Sequence, residues 1–322
     1  MAKLLIYGAT GYTGRLAGHH AKILDMDFVV GSRKEYKLVS LVKSLGVTYQ
    51  VFEVHEQQKI DLALEGIGVL LNCARPFMRT ARPLIKACTH NSLYYPNIAA
   101  ILDSYRLAEQ YNDQAVEANV MLLQGCGCSV AMLGCLASYA TKHVNKPTSI
   151  DIALYVVVSM SRGSAISATE DLSTECLQRQ DGELVMRESI NTINFDFCND
   201  KGGLSSFPVT LLDLIMFWKL TNVTNIRTFI PVSRNAFPSA DIASQPDVPT
   251  TEQREARPHH KLLLVTRAVL HTVNGYAFTF MASIEAARRV WAGEYKSGFW
   301  MPASLFGQDF ILSIAESELM QI

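Results

Sequence analysis

The stretch Leu5-Ile6-Tyr7-Gly8-Ala9-Thr10-Gly11-Tyr12-Thr13-Gly14-Arg15 sets three glycines, Gly8, Gly11 and Gly14, at steps of three directly behind an apolar run. The spacing alone is weak, because glycine triplets also occur in ordinary tight turns. Its context is stronger. Lys3 to Tyr7 reads as a strand and Thr13 to Leu24 as a helix, so the free amides of the helix N-terminus face whatever sits above the glycines, and that suits a pyrophosphate. Gly8 permits the turn, Gly11 lets the backbone approach the ligand and Gly14 allows close helix packing. Thr10, Tyr12 and Thr13 complete the loop as cofactor contacts, the threonines adding hydroxyl donors. The other reading is a nucleotide fold that has lost its ligand.

Outward from this loop, short β-rich runs alternate with helical stretches as far as about Gly125, the signature of parallel βαβ units. The expected strands are Lys3 to Tyr7, Asp27 to Gly31, Thr48 to Phe52, Val69 to Asn72, Leu93 to Pro96 and Val120 to Gln124. The expected helices are Thr13 to Leu24, Tyr36 to Leu45, Ala81 to Asn91 and Ser104 to Asn119. Residues 1–125 therefore read as a Rossmann-type doubly wound parallel sheet. Longer strands follow, notably Ser149 to Ser159 and Leu262 to Val273, so that residues 126–299 read as an α+β substrate and dimerisation domain. The polar, proline-bearing stretch Asn235 to Lys261 reads as a mobile surface loop, with a lid or binding loop as the alternative.

Composition narrows the classes of function. With 322 residues, 49% of them hydrophobic and 18% charged, most of the chain can be buried in about two domains. A net charge of -1 provides no basic field for nucleic acid or an anionic membrane, so a small-molecule partner is expected. The start, Met-Ala-Lys-Leu-Leu-Ile-Tyr-Gly, runs straight into the glycine loop and resembles neither a signal nor a transit peptide, which places the expected location in the cytoplasm. The apolar stretches Ile150 to Val158 and Val130 to Ala140 fall short of the roughly 20 residues that cross a bilayer. Seven cysteines are read as reduced, packed thiols. Cys126 and Cys128 have no companion pair at zinc-site spacing, so no metal is expected. No nucleophile elbow and no His-Glu-X-X-His helix is present in the sequence. The apolar strand Ile150 to Val158 looks hard to cover within one small sheet, and a homodimer is expected through it.

After the second strand an NAD site would carry a carboxylate for the ribose 2′-hydroxyl, whereas this chain has Ser32, Arg33 and Lys34. A hydroxyl and two cations suit a 2′-phosphate, and Arg33 can stack on the adenine, so NADP is the expected cofactor. Asn72-Cys73-Ala74-Arg75-Pro76-Phe77 ends the fourth strand, where the sheet edge meets the nicotinamide half; Cys73 and Ala74 are read as cofactor contacts.

The glycine loop, the Ser32-Arg33 pair and Asn72-Cys73-Ala74-Arg75-Pro76-Phe77 together resemble the saccharopine dehydrogenase-like oxidoreductases, a family that includes saccharopine reductases and trans-acting enoyl reductases. Gln124 to Gly134 resembles that family's glycine-rich approach to its second domain, Ser161 to Leu172 its Gly-Thr/Ser-X-X-Ser segment, and Gly275 to Gly307 its closing helix and turn. The resemblance implies an NADP-dependent oxidoreductase, with residues 300–322 returning to pack on the nucleotide domain. Three departures bear on the chemistry. Family members carry glycine where Arg75 stands. The family's two carboxylates are missing from Tyr95-Pro96-Asn97-Ile98-Ala99-Ala100-Ile101. Met301 replaces a threonine, and the aspartate of the glycine-rich segment is absent. These positions have turned apolar, which implies a greasy pocket for a hydrophobic, polyketide- or terpenoid-like ligand in a biosynthetic pathway. Arg75, Tyr95 and Asn97 are the catalytic candidates, Arg75 polarising a carbonyl; Arg75, Phe77, Cys126, Ser164 and Met301 are the substrate candidates. The rival is a non-redox cyclase or isomerase on the same fold, with NADP structural or absent.

Overall fold

Leu4, Leu5, Ile6 and Tyr7 of β1 (Lys3–Tyr7) are all buried, the pattern of a central parallel strand covered on both faces. β1 pairs in parallel with β2 (Phe28–Ser32) and with β4 (Ile67–Asn72), while β3 (Tyr49–Val51) extends the sheet beyond β2. Helices α1 (Tyr12–Ile23), α2 (Glu35–Leu45), α3 (Gln57–Ala63) and α4 (Phe77–His90) make the crossovers. β5 (Tyr95–Pro96) joins β4 through Leu70 N–H to Tyr94 O at 2.9 Å and Tyr94 N–H to Gly68 O at 3.0 Å, and β6 (Met121–Leu123) then pairs in parallel with β5. A strand from late in the chain, Gly298–Trp300, adds in parallel to β6. The sheet expected for the first domain is present.

These features belong to a computed structural model that describes residues 2–155, 176–197, 202–231, 260–264 and 268–321. The chain divides into two compact units, Met1–Cys128 with Tyr276–Phe306, and Ser129–Gly275 with Gly307–Ile322. The boundary thus lies at Cys128/Ser129 rather than at 125/126. The expected return of the chain to the nucleotide domain is made by Tyr276–Phe306. The final Gly307–Ile322 goes to the other unit instead, because Glu318–Gln321 pairs antiparallel with a strand there.

One expected helix is two. The run Ser104 to Asn119 forms α5 (Leu102–Gln110) and α6 (Asn112–Glu117), which meet at Tyr111. Asn112 restarts the helix in a position where its Oδ1 accepts from Phe299 N–H at 3.0 Å, anchoring the late strand beside β6.

In the second unit, α7 (Val130–Lys142) is buried at every residue from Val130 to Ala137, as an all-round apolar helix must be. The sheet is built on β7 (Ser149–Tyr155). The β8–β9 hairpin (Leu177–Gln180, Glu183–Met186) and the strands β10 (Ile193–Asp196), β11 (Gly203–Pro208) and β12 (Asn225–Pro231) lie to one side, with β12 parallel to β7. On the other side, the run expected as one strand from Leu262 is an antiparallel hairpin, β13 (His260–Leu264) and β14 (Ala268–Thr272), so that each apolar half covers the other's edge. Ile150, Ile152 and Ala153 of β7 are each at most 1% exposed. The described part of the strand on which a homodimer was expected is therefore covered within one chain. No helix among the described residues is long and apolar enough to cross a membrane.

Helix α8 (Asp213–Thr221) begins on a buried carboxyl: Asp213 is 4% exposed, and burial pushes its pKa up to about 7. The folded protein therefore holds this proton where the unfolded chain, with a carboxyl near pH 4, has lost it. Its contribution to stability is fullest at low pH and is lost as pH rises from about 4 to about 7. Asp213→Asn is nearly isosteric and cannot ionise. The variant is expected to melt higher than the wild type above pH 7 and to converge with it near pH 4; parallel melting curves at both pH values would contradict the assignment.

Candidate cofactor site

Gly8 takes φ +84°, and a Cβ there would stand 2.6 Å from Ala74 N, 2.7 Å from Ala74 Cα and 2.8 Å from Cys73 C. The glycine loop thus packs backbone to backbone on the end of β4. Gly14 is tighter still, since its Cβ would lie 2.4 Å from Gly8 O. Gly11 caps α1 with extended backbone, and a Cβ there would meet only Gly8 O, at 3.3 Å. The turn is closed by Gly8 N–H and Ala9 N–H donating to Gly31 O at 2.8 and 3.1 Å, and by Gly11 N–H donating to Gly8 O at 3.0 Å. Helix α1 has no side-chain cap and no acidic residue in its first turn, where Thr13 lies. The first amides of a helix have no intrahelical acceptor and carry the positive end of the dipole. Loop and helix end together fit a pyrophosphate.

At the end of β2, Ser32 is 5% exposed and its Oγ lies 2.9 Å from Thr10 Oγ1, a hydroxyl pair tying the glycine loop to the neighbouring strand. Ser32 thereby braces the loop, while Arg33 and Lys34 are exposed. Arg33 stands near Tyr7: burial pushes that phenol up to about 12, and the Arg33 charge opposes the shift. Tyr12 packs edge-on against Tyr276 of the closing helix Gly275–Trp291, ring centres 5.3 Å apart.

Beyond β4 the Arg75–Pro76 peptide is cis. Arg75 is exposed, and its guanidinium carbon sits 5.2 Å from the centre of the Phe77 ring. Phe77 is fully buried and forms the floor under Arg75. Cys73 is 8% exposed, and burial pushes its thiol up to about 12 against the pull of Arg75, so it stays protonated. Cys126 is fully buried, its thiol likewise pushed up, and its N–H donates to Asn97 O at 2.7 Å. Met301 is 4% exposed, with its N–H held by Ser304 Oγ at 3.0 Å. Ser164 lies outside the described residues. Among the described residues no group of three His, Cys, Asp or Glu side chains is placed to hold a metal ion.

Tyr95 and Asn97 have zero exposure. Asn72 Nδ2 donates to Tyr95 Oη at 2.9 Å and to Thr80 Oγ1 at 3.2 Å, while Asn72 Oδ1 accepts from Ala74 N–H at 2.9 Å. Thr80 Oγ1 donates to Ala74 O at 2.9 Å. Asn97 Nδ2 donates to Gln124 Oε1, and Gln124 Nε2 to Ser104 Oγ at 2.9 Å. Asn97 Oδ1 accepts from Ala99 N–H at 2.9 Å and Gly125 N–H at 3.3 Å. Burial drives the Tyr95 phenol well above its ordinary range. Two residues expected to touch substrate are thus sealed beneath the strand ends, where Tyr95 Oη accepts from the Asn72 side chain and Asn97 Oδ1 holds backbone amides. Sequence reasoning missed Thr80, Ser104 and Gln124. The available signal was polar residues punctuating apolar elements, as Asn72 does after Val69 to Leu71.

Fold and loop define a Rossmann-type α/β protein that is saccharopine dehydrogenase-like in fold. Apo saccharopine dehydrogenase (L-Glu forming) from Saccharomyces cerevisiae matches with a TM-score of 0.71 over 100% of both chains, at 12% identity. The WlbA dehydrogenase of Thermus thermophilus, solved with NAD and alpha-ketoglutarate, matches at 0.51 over 97% of this chain and 94% of its own, at 11% identity. In sequence, the carboxyaminopropylagmatine dehydrogenase of Synechocystis sp. is 28% identical over 159 residues, which is 44% of this chain and 38% of that relative. The match spans well under half of the curated relative's length. No protein-family model matches the chain.

The contacts at the glycines rank their substitutions. Gly14→Ala drives a methyl group to 2.4 Å from a carbonyl oxygen fixed in the turn, whereas Gly11→Ala meets the same atom at 3.3 Å. Gly14→Ala is expected to destabilise by about 1–3 kcal/mol or more and Gly11→Ala by less. Urea midpoints of the two variants check the order, and equal midpoints would contradict the packing described.

Proposed function

We propose that the chain is an NADP-dependent oxidoreductase that reduces an activated C=C, C=N or C=O bond of a hydrophobic small molecule in a biosynthetic pathway of the cytoplasm. The observation that carries the proposal is the cradle at Gly8, Gly11 and Gly14, which is closed to any Cβ at Gly8 and Gly14 and opens onto an uncapped helix end. The dehydrogenase relatives support a redox role. NADP over NAD is supported by exposed Arg33 and Lys34 where a ribose carboxylate would stand. When bound, the nicotinamide supplies hydride. The chain's own residues bind and orient it: the α1 end and the loop threonines hold the pyrophosphate, and Arg33 takes the 2′-phosphate. Arg75, exposed beside the β4 end, stabilises negative charge developing on a substrate oxygen, and it remains protonated in doing so. Apolar Ile101 and Met301, where the family resemblance leads one to expect a carboxylate and a threonine, support a hydrophobic ligand.

A second reading is favoured by one observation, the Arg75 guanidinium stacked over Phe77 where the resembled family has glycine. On that reading the chain is a non-redox cyclase or isomerase, and Arg75 activates a carbonyl for rearrangement.

Two measurements separate these readings. Calorimetry is expected to give tighter binding of NADPH than NADH, and Arg33→Ala to lose about 1.5–3 kcal/mol with NADPH only; equal wild-type affinities would overturn the cofactor assignment. With substrate in hand, deuterium from labelled NADPH appears in the product if hydride moves, while turnover with oxidised NADP alone identifies the cyclase or isomerase. In either case Arg75→Ala is expected to slow the reaction about a hundredfold, with Arg75→Lys recovering part of the loss.

A further inference from the structure

Both backbone polar atoms of Ala74, its N–H and its carbonyl oxygen, are held by side chains that sequence reasoning left without a role. Asn72 Oδ1 accepts from Ala74 N–H at 2.9 Å, and Thr80 Oγ1 donates to Ala74 O at 2.9 Å. The two clamps are themselves joined, Asn72 Nδ2 to Thr80 Oγ1 at 3.2 Å, and Tyr95 Oη at 2.9 Å takes the other Asn72 amide proton. Asn72 and Tyr95 are fully buried and Thr80 is 7% exposed. Ala74 supplies the two backbone atoms nearest to where a Cβ at Gly8 would stand, so whatever fixes the Ala74 backbone also fixes the wall behind the glycine loop.

We infer that Thr80, and Tyr95 acting through Asn72, are positioning residues that lock the Ala74 backbone against Gly8 and thereby set how the dinucleotide's pyrophosphate seats in the loop. The inference rests on the NADP reading above. Packing alone does not call for this arrangement. A buried polar triad can be replaced by apolar groups of the same shape at little loss, whereas a fully satisfied network fixes one geometry. Asn72 has both amide protons and its carbonyl oxygen engaged, and it sits in register with Tyr7 at the end of β1, just before the loop begins. Asn72 Oδ1 accepts from the Cys73–Ala74 peptide and Thr80 Oγ1 donates to the Ala74–Arg75 peptide, so each of the two peptide planes flanking the Ala74 Cα is held by a side chain.

Thr80→Val keeps the shape and removes both hydrogen bonds of the hydroxyl; Thr80→Ser restores them; Tyr95→Phe removes only the outer acceptor. Titrations of the full chain with NADPH and with adenosine 2′-monophosphate, which bears the 2′-phosphate and no 5′-phosphate, distinguish positioning from general support. The expected result is about a tenfold loss of NADPH affinity in Thr80→Val, a smaller loss in Tyr95→Phe and near wild-type binding in Thr80→Ser, with adenosine 2′-monophosphate binding unchanged throughout. Unchanged NADPH affinity in Thr80→Val overturns the inference, as does an equal loss for both ligands, which marks a merely structural role. If Thr80→Val does not fold, Tyr95→Phe decides by the same comparison of ligands. Failure of the wild type to bind NADPH overturns the cofactor reading itself, and the inference with it.

Discussion

Backbone packs on backbone where Gly8 meets Cys73 and Ala74, and the nucleotide unit is organised around that approach. Two parallel strands, β1 and β4, end side by side, and each must turn within a residue or two. A side chain at Gly8 or Gly14 would push the turn away from the sheet edge by more than neighbouring backbone can yield. Three further features keep the turn in place: the bonds from Gly8 and Ala9 to Gly31, the Thr10–Ser32 hydroxyl pair and the buried network under Ala74. They come from β2, β4, β5 and α4, so the sheet as a whole supports a loop of a few residues.

Electrostatics divides the same edge into two regions. Arg33 and Lys34 are exposed at the end of β2, and Arg75 is exposed beyond β4, with α1 beginning between them on an uncapped N-terminus. Beneath this cationic rim the titratable groups are held neutral by burial: the thiols of Cys73 and Cys126 and the phenols of Tyr7 and Tyr95 are all pushed up. Such an edge attracts an anionic ligand and offers no nucleophile or general base of its own from below. That arrangement suits chemistry supplied by a cofactor.

The glycine loop, the succession of strands and helices along the first domain and the closing helix were legible in the sequence because each is written in local pattern: glycine spacing, apolar runs of strand length and helical periodicity. What escaped depends on where a side chain turns. Ser32 reads as a ligand for a phosphate, yet its hydroxyl turns inward to Thr10. Tyr95 and Asn97 read as catalytic because they fall in the stretch that resembles the family's Tyr-Val-Asp-X-X-Gly-Glu segment, but at β5 they point into the buried network, and no periodicity in so short a strand reveals this. The break at Tyr111 was hidden for another reason. The bond that Asn112 accepts there comes from Phe299, nearly two hundred residues away. The resemblance drawn from the sequence agrees with the saccharopine dehydrogenase-like fold, whereas the identity of the reacting groups rests on Arg75 alone.

The strand Gly298–Trp300 completes the nucleotide sheet from well over a hundred residues further along the polypeptide, and this gives the molecule a timetable. During synthesis the glycine loop and six strands emerge early, yet the outer edge of β6 has no partner until some 175 further residues, among them the whole sheet core of the second unit, have been made. Met121, Leu122 and Leu123 are apolar and buried in the finished protein; in the nascent chain they form an open, greasy strand edge of the kind that invites wrong pairing. The nucleotide sheet thus keeps this edge unpaired until Gly298–Trp300 has been made.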